Sequence, residues 1–160
     1  MTSKEKIVSK DSAQKQVLFW KEQGEKIVFT NGCFDLLHVG HVDYLEKARA
    51  LGTKLVLGLN TDASVQRIKG PSRPVSDNTS RSRVIAALGF VDLVVFFDEE
   101  TPLDLIKSLL PNVLVKGDDY AAENIVGYKE VIENGGEVLT VTLVDGYSTS
   151  ALISKIKSED

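Results

Sequence analysis

Asn31–His41, NGCFDLLHVGH, joins an apolar run on its N-terminal side to a helix-period run on its C-terminal side. Lys26–Thr30, just before it, is dense in Ile, Val and Phe, the composition of a strand buried on both faces. His41–Leu51, just after it, sets Val42, Leu45, Ala48 and Leu51 at three-residue steps, the stripe of an amphipathic helix. Both histidines of the chain, His38 and His41, lie in this segment. At that spacing in the first turn of a helix, two imidazoles share one side, beside backbone N–H groups that lack intrahelical acceptors. Gly40 between them removes a side chain where something must approach the backbone closely. Two imidazoles, neutral or protonated, at the positive end of a helix dipole make a phosphate cradle. A zinc site is the rival reading, and it lacks ligands. Zinc needs a third, and Asp35, lying before the helix, more naturally organises the loop or caps the helix. No metal site is expected.

Outward from this segment, the strand-then-helix alternation recurs. Lys54–Leu59, Leu93–Phe97, Asn112–Lys116 and Glu137–Leu143 read as further strands. Asp62–Ile68, Ser80–Leu88, Thr101–Leu109, Ala121–Glu133 and Ser148–Lys157 read as helices. A leading helix is expected over Asp11–Gly24, with Val17, Leu18 and Trp20 inward and Gly24 as its stop. Such alternation implies right-handed crossovers, hence a doubly wound (Rossmann-like) α/β domain on a five-stranded parallel sheet. Ligands of such a sheet bind beyond the carboxyl ends of its strands. One domain is expected, with residues 1–24 as its leading helix and 25–160 as a domain of the nucleotidyltransferase type. Lys69–Thr79 (KGPSRPVSDNT) is polar, turn-rich and without period. It is a surface connection or, given Lys69, Arg73 and Arg81 just past its end, an anion-facing lid.

The 160 residues carry 19 Lys and Arg against 23 Asp and Glu, a net charge of −4. An acidic surface argues against binding nucleic acid or an anionic membrane. A single cysteine, Cys33, permits neither an intramolecular disulfide nor a cysteine-built zinc site, and suits a reducing interior. Met1–Lys10 holds no apolar signal region, and the longest apolar stretch, Val84–Val91, is far below the roughly 20 residues of a membrane span. A cytoplasmic, soluble protein is expected. Neither Gly-x-Gly-x-x-Gly nor a Gly-x-x-x-x-Gly-Lys-Ser/Thr loop occurs, which weighs against dinucleotide oxidoreductases and P-loop kinases.

With Gly32, Phe34 and Asp35 ahead of it, His38-Val-Gly-His41 matches the His-x-Gly-His signature of the cytidylyltransferase-like nucleotidyltransferases. Asn60–Pro74 (NTDASVQRIKGPSRP), Leu114–Tyr120 (LVKGDDY), Asn134–Val138 (NGGEV) and Asp145–Ser150 (DGYSTS) narrow the resemblance to the adenylyltransferases that make ADP-activated heptose in bacteria. In some bacteria that activity is one half of a fusion with a sugar kinase, and this chain resembles the stand-alone form.

The resemblance implies that a sugar 1-phosphate attacks the α-phosphorus of ATP and pyrophosphate leaves. Such a nucleophile is already an anion, so the absence of a Ser/His/Asp or paired-carboxylate constellation is in keeping with it. The reaction instead needs two anions held in line and neutralisation of the leaving group. His38 and His41 are expected to donate to phosphate oxygens, and the resemblance assigns Lys69 and Arg83 to phosphate and leaving-group stabilisation. It implies nucleotide contacts at Asn31, Gly32, Cys33, Phe34, Gly40, Lys116 and Asp119, and at Ser148, Thr149 and Ser150 where a helix opens after Gly146. Asp35, Asn60, Arg73 and Tyr120 are the expected substrate contacts. Mg2+ is expected on the triphosphate, held mostly by substrate oxygens and water. The implied partners are small molecules, with a homodimer as a family expectation.

Base choice divides the motifs. Asp118 stands where the heptose enzymes carry glycine, and glycerol-phosphate cytidylyltransferases show Asp-Asp there. Those cytidylyltransferases carry Arg where this chain has Leu143, and lack the Lys-Gly-x-x-Arg-Pro stretch of Lys69–Pro74. Adenine is favoured, with a cytidylyltransferase for an alcohol phosphate such as glycerol 3-phosphate as the alternative. From a different class, a nucleotide-binding module without turnover remains, and His38, His41, Lys69, Arg83 and Ser148 together weigh against it.

Overall fold

A computed structural model describes residues 1–159. Its centre is the strand predicted ahead of the histidines, β2 (Ile27–Gly32). On one side β2 pairs with β3 (Lys54–Asn60), which pairs with β4 (Leu93–Phe97). On the other it pairs with β5 (Val113–Gly117), which pairs with β6 (Glu137–Val141). All of these pairings are parallel. A sixth strand corrects the expected five. β1 (Ile7–Val8) adds to the outer edge of β4, giving the order β1-β4-β3-β2-β5-β6. Two half-buried residues are too short to show a period, and they become a strand only because β4 offers an unpaired edge.

The strands read as unbroken apolar runs because alternate residues serve opposite faces. Phe29, Val56, Val95 and Leu114 join one core with α1 (Lys10–Glu22) and α5 (Leu103–Leu109). Val28, Leu57, Val94 and Val115 join the other with α2 (Val39–Arg49) and α4 (Asn78–Ala86). α1 starts on a Ser9 cap whose side chain accepts from Ser12 N, and turns Val17 and Trp20 inward as expected. Leu18 corrects the expectation, being 54% exposed, because its neighbours at 17 and 20 already define the inward stripe.

Two expected helices are shorter. Ala121–Glu133 divides into a 3-10 turn (Ala122–Asn124) and α6 (Tyr128–Glu133), since Gly127 between them takes the left-handed φ of 91°. The helix expected from Thr101 begins after Pro102. α3 (Asp62–Lys69) follows β3, and α7 (Thr149–Ser158) follows β6. Because the chain leaves β2 for β3 on one side and reaches β5 on the other, the topological switch lies at the carboxyl end of β2. The histidine segment begins there.

Candidate active site

His38 is the N-cap of α2, in extended backbone at φ −139° and ψ 173°. Its Nδ1 accepts from Gly40 N at 3.1 Å, and His41 Nδ1 accepts from His38 N at 3.4 Å. The two rings stack with centroids 3.8 Å apart. Gly40 is required here, since a Cβ would stand 2.9 Å from the His38 ring. A backbone N–H donating to Nδ1 needs a lone pair there, so each neutral ring carries its proton on Nε2. Burial lowers the pKa of His38, and burial followed by the charge of His38 lowers that of His41 to about 4. Of the two states open from sequence, the neutral one follows. The pair is two Nε2–H donors at a helix N-terminus. Phe34 meets the His41 ring edge-on at 5.2 Å, and holds a left-handed φ of 45° that costs about 1–3 kcal/mol.

Around them opens a cleft of about 760 Å³, lined at every expected site position except Arg83. Asn31, Gly32, Cys33 and Phe34 come from the end of β2 and the turn after it, and Asn60 from the end of β3. Lys116 is half-buried. Its Nζ donates to Asn31 O at 3.2 Å and lies 5.6 Å from the Tyr120 ring, and burial lowers its pKa against the opposing pull of the Asp119 carboxylate. Burial raises the Cys33 thiol, outweighing Lys69, Arg81 and Arg73, so it stays protonated and inert. Beneath, the buried Thr30 and Tyr44 hydroxyls lie 2.6 Å apart and share Val115 O.

Of the hydroxyls opening α7, Ser148 Oγ caps the helix by accepting from Ala151 N at 3.0 Å. Thr149 Oγ1 donates to Leu36 O at 3.2 Å, tying α7 to the histidine loop. Ser150 also lines the cleft, so capping accounts for one of the three. The first backbone N–H groups of α7 have no intrahelical acceptor and suit an anion. Tyr147, unremarked in the sequence, sets its ring 6.4 Å from that of His38.

Asp35 and Arg73 serve the frame first. Arg73 Nε donates to Asp35 Oδ2 at 2.7 Å, and the same carboxylate accepts from Val75 N and Ser76 N at 2.9 Å. Burial alone would raise the Asp35 pKa, and these N–H groups together with the Arg73 charge hold it below its usual value. Asp35 thus organises the loop, while His38 does the capping.

Arg83 is corrected. It is exposed and away from the cleft, with Nε donating to Ser3 Oγ at 3.2 Å. Arg81 is the buried guanidinium instead, and it does not line the cleft. It donates to Cys33 O at 2.8 Å, Asp62 Oδ1 at 2.7 Å, Asn78 Oδ1 at 3.0 Å and Ser76 O at 3.1 Å. A signal existed: Arg81 is four residues before the inward Ile85, while position 83 falls on the opposite face of the helix. Asp118 does not line the cleft and accepts from Leu143 N at 3.5 Å. Among the described residues, no three His, Cys, Asp or Glu side chains stand together as a metal site.

Cations and neutral donors thus converge on one cleft, alongside the carboxylates of Asp35, Glu100, Asp119 and Asp145. The sequence profile of the cytidylyltransferase-like family matches residues 29–155. The chain belongs to the cytidylyltransferase-like family. It is 57% identical over 152 residues to the bifunctional protein HldE of Azorhizobium caulinodans, covering 95% of this chain and 32% of that protein. It is 61% identical over 137 residues to HldE of Geobacter metallireducens, covering 85% and 28%. The chain therefore spans about a third of the length of these relatives. A lipopolysaccharide core biosynthesis protein from Thermoplasma volcanium superposes with a TM-score of 0.64 at 26% identity, over 76% of this chain and 99% of that one. A pantoate–β-alanine ligase from Francisella tularensis, at 12% identity and a TM-score of 0.58 over 94% of this chain and 76% of that one, shares the fold.

Proposed function

We propose that the chain transfers AMP from ATP to a sugar 1-phosphate, heptose 1-phosphate in the first instance, giving ADP-heptose and pyrophosphate for surface-glycan synthesis. The observation that carries this is the stacked, neutral His38–His41 pair at the α2 N-terminus, opening on the same cleft as Lys69, Lys116 and the start of α7. The identity to one third of a protein named bifunctional agrees with a chain that resembles the adenylyltransferase half of a fusion.

A phosphate oxygen of the acceptor attacks the α-phosphorus, that P–O bond forms, and the bond to the β-phosphate oxygen breaks. No proton moves, so a site without a general base suffices. The Nε2–H groups of His38 and His41 hold phosphate oxygens as charge shifts toward pyrophosphate, and Lys69 and Lys116 offset its charge. Arg73, with Nε on Asp35, keeps its terminal nitrogens for the acceptor phosphate. Mg2+ enters with the triphosphate as part of the substrate, held mostly by substrate oxygens and water. Adenine is favoured because Leu143 brings a hydrocarbon side chain to the cleft while Asp118 turns to backbone.

The reading carries with it a cytoplasmic location, where ATP and sugar phosphates meet, and the homodimer implied by the resemblance. No helix among the described residues is long and apolar enough to cross a membrane. The test is pyrophosphate release from ATP and CTP against heptose 1-phosphate and glycerol 3-phosphate. Release from ATP with the heptose is expected. Preference for CTP with glycerol 3-phosphate would transfer the site to an alcohol-phosphate cytidylyltransferase.

A further inference from the structure

β2 parts from β5 where the cleft opens. The two strands pair at Val28–Val113 and Phe29–Leu114, whereas β2 and β3 stay paired as far as Gly32–Leu59. Beyond Phe29, side chains stitch the parted strands together. Lys116 Nζ donates to Asn31 O at 3.2 Å, and Thr30 Oγ1 donates to Val115 O at 2.9 Å. Tyr44 joins them from α2, with its hydroxyl 2.6 Å from Thr30 Oγ1 and 3.1 Å from Val115 O. Three elements thus meet on one carbonyl, beside the cleft that Tyr44 lines.

These three oxygens hold two protons. One lies in the 2.6 Å contact, since two hydroxyl oxygens that close repel each other without a proton between them. The other goes to the carbonyl. A phenol is the more acidic hydroxyl and the better donor, and Thr30 stands nearer than Tyr44 to Val115 O. The chain therefore runs from Tyr44 OH to Thr30 Oγ1 to Val115 O. Burial raises the Tyr44 pKa, so the hydroxyl keeps its proton for this bond. Its place on α2 gives the chain a mechanical consequence. The buried residues of α2 are Tyr44, Leu45 and Ala48, all past the first turn, while Val39 in that turn is exposed. Packing grips the helix from its middle onward, and Tyr44, three residues after His41, is the foremost grip. A hydroxyl bond adds direction to that grip, which apolar contact lacks.

We propose that Tyr44 is a positioning residue of the transfer reaction, whose hydroxyl holds the first turn of α2, and with it the Nε2–H groups of His38 and His41, at a fixed setting against Lys116. The inference rests on the adenylyl-transfer reading and adds how the donors from α2 and β5 are kept aligned. Without the hydroxyl, the Tyr44 ring still fills its place in the core, but the helix start is free to shift over the carboxyl ends of β2 and β5. Bound phosphates follow such a shift in the ground state. Stabilising the charge that moves toward pyrophosphate requires both sets of donors in place at once, so the loss falls on kcat.

Steady-state pyrophosphate release is measured for wild type, Tyr44→Phe and Thr30→Val, varying ATP and the sugar 1-phosphate in turn, with thermal melts to establish that each variant folds. Tyr44→Phe is expected to lower kcat about tenfold, with both KM values within about twofold of wild type, a smaller loss than the roughly hundredfold of a 1 Å misplacement. Thr30→Val is expected to lose less than about threefold, because Tyr44 OH then donates to Val115 O directly and the tether on α2 survives. In a His38→Ala/His41→Ala protein, adding Tyr44→Phe is expected to cost less than about twofold further, since the donors it positions are gone. A hydroxyl that only satisfies its buried neighbours would lower the melting temperature and leave kcat of the folded protein unchanged. That result, a loss in Thr30→Val as large as in Tyr44→Phe, or the full Tyr44→Phe loss persisting without the histidines overturns this inference and leaves adenylyl transfer standing. Failure of wild type to release pyrophosphate with any sugar 1-phosphate overturns both.

Discussion

At the scale of single residues, the backbone chooses the tautomer of His38 and His41, the pair on which the proposed chemistry rests. Nδ1 of each ring is occupied by a backbone N–H, so Nε2–H is the donor. The Nε2-protonated form should persist in a 15N-detected titration of His41 from pH 8 down to about 5, consistent with a pKa of about 4. A titration midpoint near 6.5 would contradict it. His41→Ala should lower kcat by roughly 10²–10³-fold, the scale of one lost oxyanion-type donor, with the fold retained. The arginines separate just as sharply. Arg81→Met leaves Asp62, Cys33 O and Ser76 O without their cation and should cost about 3–5 kcal/mol in urea unfolding. Arg83→Ala, on the exposed face, should stay within about 0.5 kcal/mol. Leu143 suits a purine face and offers no bond to a pyrimidine edge. ATP should exceed CTP by at least about tenfold in kcat/KM, and Leu143→Arg should narrow the gap mainly by weakening ATP.

At the scale of elements, the connection between α3 and α4 is free to act as a lid only in its first part. From Arg73 to Ser76 it is fastened by Asp35 from below and by Arg81 from α4, which leaves Lys69 to Ser72 as the stretch that can close on phosphates. Trypsin should therefore cut after Lys69 in the free protein, and more slowly with ATP, Mg2+ and sugar phosphate bound. Equal rates would remove the lid. Asp35→Ala leaves Arg73 and two backbone N–H groups unpaired, and should both speed that cleavage and cost roughly 3–5 kcal/mol.

At the scale of the whole molecule, acid sensitivity follows from two depressed pKa values. His41 is neutral in the folded state down to about pH 4, while in the unfolded chain it takes up a proton near its ordinary 6.5. The unfolded state therefore binds more protons as pH falls, and stability present above 6.5 is lost progressively between 6.5 and about 4. Asp35 has the same sign at lower pH: its contribution is present above the ordinary carboxyl range and is lost as pH falls through its lowered folded value. Urea midpoints measured across pH should be flat above 7, decline first below about 6.5 and steepen below about 4. A midpoint constant from pH 7 to 5 would contradict the buried, neutral His41.

Sequence alone determined the layered fold and most of the cleft. Apolar strands and amphipathic helices alternate within short windows, and the cradle residues sit within one strand-to-helix turn, so local pattern suffices for both. It placed Lys26–Thr30 at the first βα unit, and it named His38, His41, Lys116 and the opening of α7. Tertiary structure decided what depends on contacts between distant segments. β1 exists only because β4 leaves an edge, Gly127 splits a helix that period alone would continue, and Arg81 rather than Arg83 is drawn inward by Asp62 and the Cys33 carbonyl. Likewise, Asp35 finds its partners only where the loop at 73–76 folds back over it. A charge in a sequence has no partner until the chain folds, and the partner decides whether it is frame or site.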